Sequence, residues 1–284
     1  MDILETMMEE ALEATLSTEI NEETTEDNTE IEETVNEEVE LIKPNAQSLL
    51  VDESTSRFSS AIWYDAVKQS NVLIAGVGGI GSWVSVLIAR MHPESLILYD
   101  PDIVEMVNMS GQLHPHNFCG EYKTASCVHL NQTIGTYYRT IAYNRAYDSL
   151  SRTEDIMICG FDNMAARKIF FNKWLERVQW SDYPEKCLYI DGRLSAESYQ
   201  IFAIQGTDER AIKEYQEKWL FDDSEADETI CSYKQTSYMA AMIASNMVNI
   251  YVNHMANQCN PIIPRDVPFF MEYTAETMFT KMIL

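Results

Sequence analysis

Residues 71–102 constrain this chain more than any other part of it. An apolar run, Val72, Leu73, Ile74 and Ala75, leads straight into Gly76-Val77-Gly78-Gly79-Ile80-Gly81-Ser82. An amphipathic pattern follows, and a second apolar run, 96–99, ends at Asp100. Strand, glycine turn, helix and strand in that order predict one βαβ unit of the kind that holds a nucleotide. Gly76 permits the tight turn, Gly78 lets backbone amides approach a phosphate, and Gly81 lets the helix pack closely on the strand. The helix N-terminus turns unpaired N–H groups toward phosphate oxygens. Asp100 is placed to accept hydrogen bonds from ribose hydroxyls. Glycine-rich turns also serve tight packing alone; the ordered arrival of strand, turn, helix, strand and acid is what makes this one specific.

Charge divides the 284 residues unevenly. Residues 1–56 hold 18 of the 45 acidic residues and one of the 20 basic ones, Lys43, so they carry −17 of the formal −25 and leave −8 for the rest. A Thr/Glu/Asn-rich run such as 21–40 has too few large apolar side chains to offset its ordering entropy, and 1–56 is expected to be a largely disordered tail ahead of a domain over 57–284. Such a tail repels nucleic acid and anionic membrane. Within it Leu4, Met7, Met8, Ala11, Leu12 and Leu16 recur at helical spacing opposite Glu5, Glu9, Glu10 and Glu13. That predicts a short amphipathic helix over 2–16, which either docks in a partner's groove or folds back on its own domain. The acidic N-terminus lacks signal-peptide character, and no apolar run reaches membrane-spanning length. Six cysteines without CxxC spacing read as a reducing compartment, so the expectation is a cytoplasmic protein without a zinc site.

From Arg57 onward strands and helices alternate. Strands are expected at 71–75, 96–99, 140–143, 155–159, 188–190 and 199–204. Helices are expected at 116–132, at 163–178 through Ala166, Ile169, Phe170 and Trp174, and as an exposed charged segment at 211–218. Residues 219–229 read as an acidic loop, and 238–254 as a core helix. The fold class is α/β: a Rossmann-like, mostly parallel sheet with helices on both faces, binding ligands at the carboxyl ends of its strands.

Downstream of the turn come Asp102, Asn108, Gln112, Gly120-Glu121-Tyr122-Lys123, Asp162-Asn163 and Arg167; upstream stands Arg57-Phe58-Ser59-Ser60. As a set, from Arg57 to about His254, these resemble the ThiF/MoeB superfamily of ubiquitin-activating-enzyme-like adenylating proteins. The resemblance implies a ThiF/MoeB-type adenylation domain that joins ATP to the C-terminal carboxylate of a small β-grasp (ubiquitin-like or sulfur-carrier) protein, giving an acyl-adenylate and pyrophosphate. It implies Mg2+ and a homodimer. Two anions meet in that reaction, so its site must supply a cation rather than a base. The resemblance casts Lys123 as that cation and Asp162 as the magnesium ligand. It puts Gly76, Gly78, Gly79, Gly81, Asp100, Asp102, Asn108, Gln112, Asn163 and Arg167 around the nucleotide, with Arg57 reaching the neighbouring subunit's. Alternatives stand beside these roles: Lys123 as a solvated helix-start lysine, Asp162 as a helix N-cap, and Arg167 as either a surface ion-pair residue or a nucleotide contact.

Departures bear on activity. Gly111 stands where many relatives carry a phosphate-binding arginine, and Ser60 where some place a second. Each lost cation would remove about 2–4 kcal/mol of transition-state stabilisation unless Arg193 or Lys234 replaces it. The zinc-binding cysteine pairs of many members are absent. Cys231, between the acidic loop and the last core helix, matches a cysteine that forms a thioester in some relatives, although members that stop at the adenylate carry one too. Cys119, Cys127, Cys159 and Cys187 read as core residues. His114 and His116 read as loop histidines near phosphate rather than a metal pair. Three other functions compete: a catalytically impaired nucleotide-binding scaffold, motivated by Gly111 and Ser60; a tRNA-modifying dehydratase of the same core, opposed by the acidic charge; and a nicotinamide dehydrogenase, opposed by the set Gly78, Gly79, Asp100, Lys123 and Asp162.

Overall fold

Strand β1 (Asn71–Ala75) is apolar on both sides, and that is what places it at the centre of the sheet. Val72 and Ile74 face one core; Leu73 and Ala75, pointing the opposite way, face a second. In this computed structural model, residues 53–221 and 235–284 are described. Residues 1–52 of the expected acidic tail, with its helix over 2–16, and Cys231 and Lys234 lie outside them; at 53–56 the chain is ordered, with Thr55 buried and hydrogen-bonded to Tyr64.

The helix after the glycine turn, α2 (Gly79–Ala89), follows a short α1 (Tyr64–Lys68) and precedes β2 (Ser95–Tyr99). Then come α3 (Lys123–Thr133), β3 (Thr140–Tyr143), β4 (Ile156–Cys159), α4 (Met164–Trp180), β5 (Leu188–Ser195), β6 (Ser198–Gln205), α5 (Glu209–Glu214), α6 (Ser237–Asn257), β7 (Phe270–Thr274) and β8 (Phe279–Ile283). The strands form one sheet in the order β3-β2-β1-β4-β5-β6-β7-β8. Pairing is parallel from β3 to β5 and antiparallel from β5 to β8. Helices α2 and α6 cover one face with Ile80, Val84, Ile88, Ile243, Met247 and Tyr251. Helix α4 covers the other with Phe170, Phe171 and Trp174.

The expected parallel sheet with helices on both faces is therefore present, and three sequence readings need correction. The helix expected over 116–132 is a 3-10 turn, His116–Phe118, and then α3. Between them Gly120 takes φ +94°, a left-handed conformation that ends any helix passing through it. The exposed helix expected over 211–218 is α5 continued by a π-helical turn, Tyr215–Trp219, which buries Ala211 and Tyr215 against α4 and β6. Strands β7 and β8 were not expected at all. Among the described residues no helix is long and apolar enough to cross a membrane.

Candidate functional site

The parallel half of the sheet delivers its turn to one point. Gly76 takes φ +82°, and a Cβ there would sit 2.7 Å from the Gly160 carbonyl at the end of β4. A Cβ on Gly81 would lie 2.0 Å from the Gly76 oxygen. No side chain fits at either position, so turn, helix and β4 close on one another as backbone. Asp100 clamps the turn from the end of β2. Its Oδ2 accepts from the Val77 N–H at 2.8 Å and its Oδ1 from the Asp102 N–H at 2.9 Å. Burial pushes its carboxyl up from the ordinary value, and the two amides and Lys123 partly offset that.

His114 holds the turn from the far side. Its Nε2 lies 2.9 Å from the Val77 carbonyl, so Nε2 carries the proton, and Nδ1 accepts from the Ser126 hydroxyl at 3.0 Å. It is a neutral brace between turn and α3. Burial pushes its pKa down to about 4 from 6.5. Between those values the unfolded chain takes up a proton that the folded one refuses, so stability falls as pH drops through this window. The expected loss from His114 is up to about 3 kcal/mol between pH 7 and 4. Urea unfolding across that range checks it, with His114→Gln showing the flatter profile. His116 is exposed.

Lys123 is the first residue of α3, where its backbone N–H donates to the Asp102 carbonyl at 2.9 Å. Its Nζ donates to Asp102 Oδ2 at 2.8 Å, with the lysine side chain 10% and the aspartate 63% exposed. Lys123 is thus a buried stem with its ammonium aimed at the rim of the site; the solvated alternative is corrected. Asn108 lies in a 3-10 segment, Met106–Ser110, whose capping box uses its Oδ1 to accept from the Glu105 N–H at 2.8 Å. Trp83 Nε1 donates to the Gly111 carbonyl at 3.4 Å, and the Leu113 N–H donates to Ser82 Oγ at 3.1 Å, pinning this loop to α2. Gln112 is brought against Gly78. Asp162 follows β4 with its carboxylate exposed. The cap of α4 is Asn163 rather than Asp162: its Oδ1 accepts from the Ala166 N–H at 2.8 Å.

Comparison with known proteins matches the model of the ThiF family over residues 51–282. This chain belongs to the ThiF family. It is 29% identical over 99 residues to ubiquitin-like modifier-activating enzyme 5 of Caenorhabditis elegans, covering 34% of this chain and 23% of that protein. It is 33% identical over 106 residues to the adenylyltransferase and sulfurtransferase MOCS3 of Arabidopsis thaliana, covering 35% of this chain and 23% of that one. The matched segments thus span about a quarter of these relatives' length. The E. coli MccB structure with ATP superimposes with a TM-score of 0.59 at 15% identity, over 78% of this chain and 65% of that one.

Within this ThiF-family frame, Arg167 and Arg193 converge on one buried carboxylate, that of Asp191. Arg167 is buried, bonded to Asp191 and to the Phe161 carbonyl, so its reading as a surface ion pair is corrected. Arg193 donates to Asp191 Oδ2 at 2.8 Å and to the Trp219 carbonyl at 2.8 Å, and it stacks on Phe202. Tyr215 adds its hydroxyl to Asp191 at 2.8 Å. Burial pushes the Asp191 carboxyl up, and the two guanidinium groups more than offset it, leaving it below its ordinary value. Arg193 is engaged here rather than replacing a cation at Gly111. Arg57 and Ser60 are exposed. Cys127, Cys159 and Cys187 are buried as expected, whereas Cys119 is exposed beside Met106 and is corrected. Sequence reasoning missed His114 as a brace, Asp191, and Gln235, whose side chain lies against Gly79 and Gly111. Only tertiary pairing reveals them.

Proposed function

We propose that this protein binds ATP with magnesium across the glycine turn and transfers the adenylyl group to the C-terminal carboxylate of a small ubiquitin-like or sulfur-carrier protein. One observation carries the reading. A continuous polar path runs from the turn to the cation: Val77 N–H to Asp100, Asp102 N–H to Asp100, and Lys123 ammonium to Asp102. The acid we assign to the ribose, the turn we assign to the phosphates and the lysine we assign to developing negative charge are thereby linked through one hydrogen-bonded path. Preorganised charge of this kind is what attack by one anion on another requires.

The donor set fits magnesium. Among the described residues no three His, Cys, Asp or Glu side chains cluster as a metal cage. Asp162 offers a single exposed carboxylate at the carboxyl end of β4, and Mg2+ takes one or two carboxylates when phosphates supply further ligands. When bound it would neutralise charge on the phosphates. The name of the plant relative, which pairs adenylyl with sulfur transfer, and that of the nematode one, which activates a ubiquitin-like modifier, support a carrier-protein substrate. A homodimer with Arg57 facing the partner's nucleotide, and a thioester step at Cys231, belong to the same reading. The engagement of Arg193 by Asp191, which keeps it from replacing the cation missing at Gly111, favours a second: a scaffold that binds nucleotide without chemistry. ATP–pyrophosphate exchange separates the two. Exchange dependent on an added β-grasp protein ending in Gly-Gly is expected; ATP binding with no exchange for any such protein would establish the scaffold instead.

A further inference from the structure

Gln235 stands two residues before α6, outside every motif discussed above, yet its side chain ends against the glycine turn. A Cβ built on Gly79 would lie 2.0 Å from Gln235 Oε1, 2.7 Å from its Cδ and 3.1 Å from its Nε2. A Cβ on Gly111 would lie 3.1 Å from Gln235 Cβ and 3.4 Å from the same Oε1. The space these two glycines open is therefore filled by one amide. Gly79 is the first residue of α2, a helix of 11 residues, and the partial positive charge of its N-terminus favours an oxygen there. A phosphate oxygen drawn to this N-terminus would approach the space that the Gln235 amide fills.

The backbone at Gln235 is held in place. A parallel β-bridge ties Gln235 to Ala196, and the Ala240 N–H donates to the Thr236 carbonyl at 3.0 Å to start α6. One buried oxygen beside this cluster, Gln112 Oε1, has no hydrogen-bond partner among the described residues. An acceptor left unpaired there costs the filled arrangement free energy.

We propose that Gln235 occupies the phosphate position of the empty turn and swings out when a nucleotide binds, so that this one side chain sets the affinity for phosphate. The inference rests on the nucleotide reading above. Any phosphate oxygen approaching Gly79 meets the amide first, so only the fraction of molecules with Gln235 rotated away is competent. Apparent affinity falls by that fraction; a one-in-ten competent population weakens it about tenfold.

Calorimetry of ATP and adenosine with the full chain tests this. Gln235→Ala is expected to tighten ATP binding about tenfold and to leave adenosine within about twofold, since adenosine places nothing at the turn. Gln235→Glu, of equal volume, puts an anion in the phosphate position and is expected to weaken ATP at least as much. Retained adenosine binding shows that each variant is folded. If wild type binds ATP and Gln235→Ala binds it equally or less well, the proposal is overturned while the nucleotide reading stands. If neither binds ATP or adenosine, the nucleotide reading falls and this proposal with it. ATP binding gained only in Gln235→Ala would support both.

Discussion

Replacing Lys123 by methionine is expected to lower ATP–pyrophosphate exchange by about 100- to 1,000-fold, roughly 3–4 kcal/mol of transition-state stabilisation. Methionine keeps the buried stem that packs at the start of α3, where Lys123 is 8% exposed, and removes only the ammonium. That charge faces Asp102 in the free protein, at the exposed end of a path that begins at the turn. Under the proposed function, a cation so placed would act on charge that develops during the reaction rather than on the bound ground state. The loss is therefore expected in the exchange rate, with the ATP dissociation constant from calorimetry moving less than about fivefold. Equal losses in both would make Lys123 a binding residue, and an unchanged rate would remove it from the chemistry.

Asp191→Ala is expected to destabilise the fold by about 3–5 kcal/mol. Asp191 is fully buried and takes two guanidinium groups and a phenol at once. Without it, Arg167 and Arg193 lose the buried carboxylate that they share. Urea unfolding measures the loss. Combining Asp191→Leu with Arg167→Met and Arg193→Met is expected to recover most of it, because an apolar trio of similar volume leaves no buried charge. A single-variant cost below about 1 kcal/mol would mean that water or a neighbouring side chain had already neutralised the pair.

The parts of this molecule that were legible in its sequence are those governed by neighbours along the chain. That Asp100 would clamp the turn through the Val77 N–H was not legible, but residues 71–102 announce strand, turn, helix, strand and acid because each obeys a local rule. Helix α6 was legible for the same reason: 21 residues of low charge have one way to be buried. Strand β8 was not, since all five of its residues are exposed and no alternation marks it. The choice between Asp162 and Asn163 as cap turns on which side chain reaches Ala166, which composition does not encode. Arg167 illustrates the limit. Its burial depends on Asp191, 24 residues on and one strand over, and nothing within a turn of Arg167 says so.

The central position of β1 has a consequence for synthesis. Its left-hand neighbour β2 follows soon after it, but on the right Val72 pairs with Ile156. At 5–20 residues per second that separation corresponds to roughly 4–17 s of elongation. For that time a nascent chain carries an apolar strand with one open edge, the kind of surface on which aggregation begins. A ribosome paused anywhere between β2 and β4 prolongs the exposure, and the supply of chaperones during translation then governs how much protein a cell recovers.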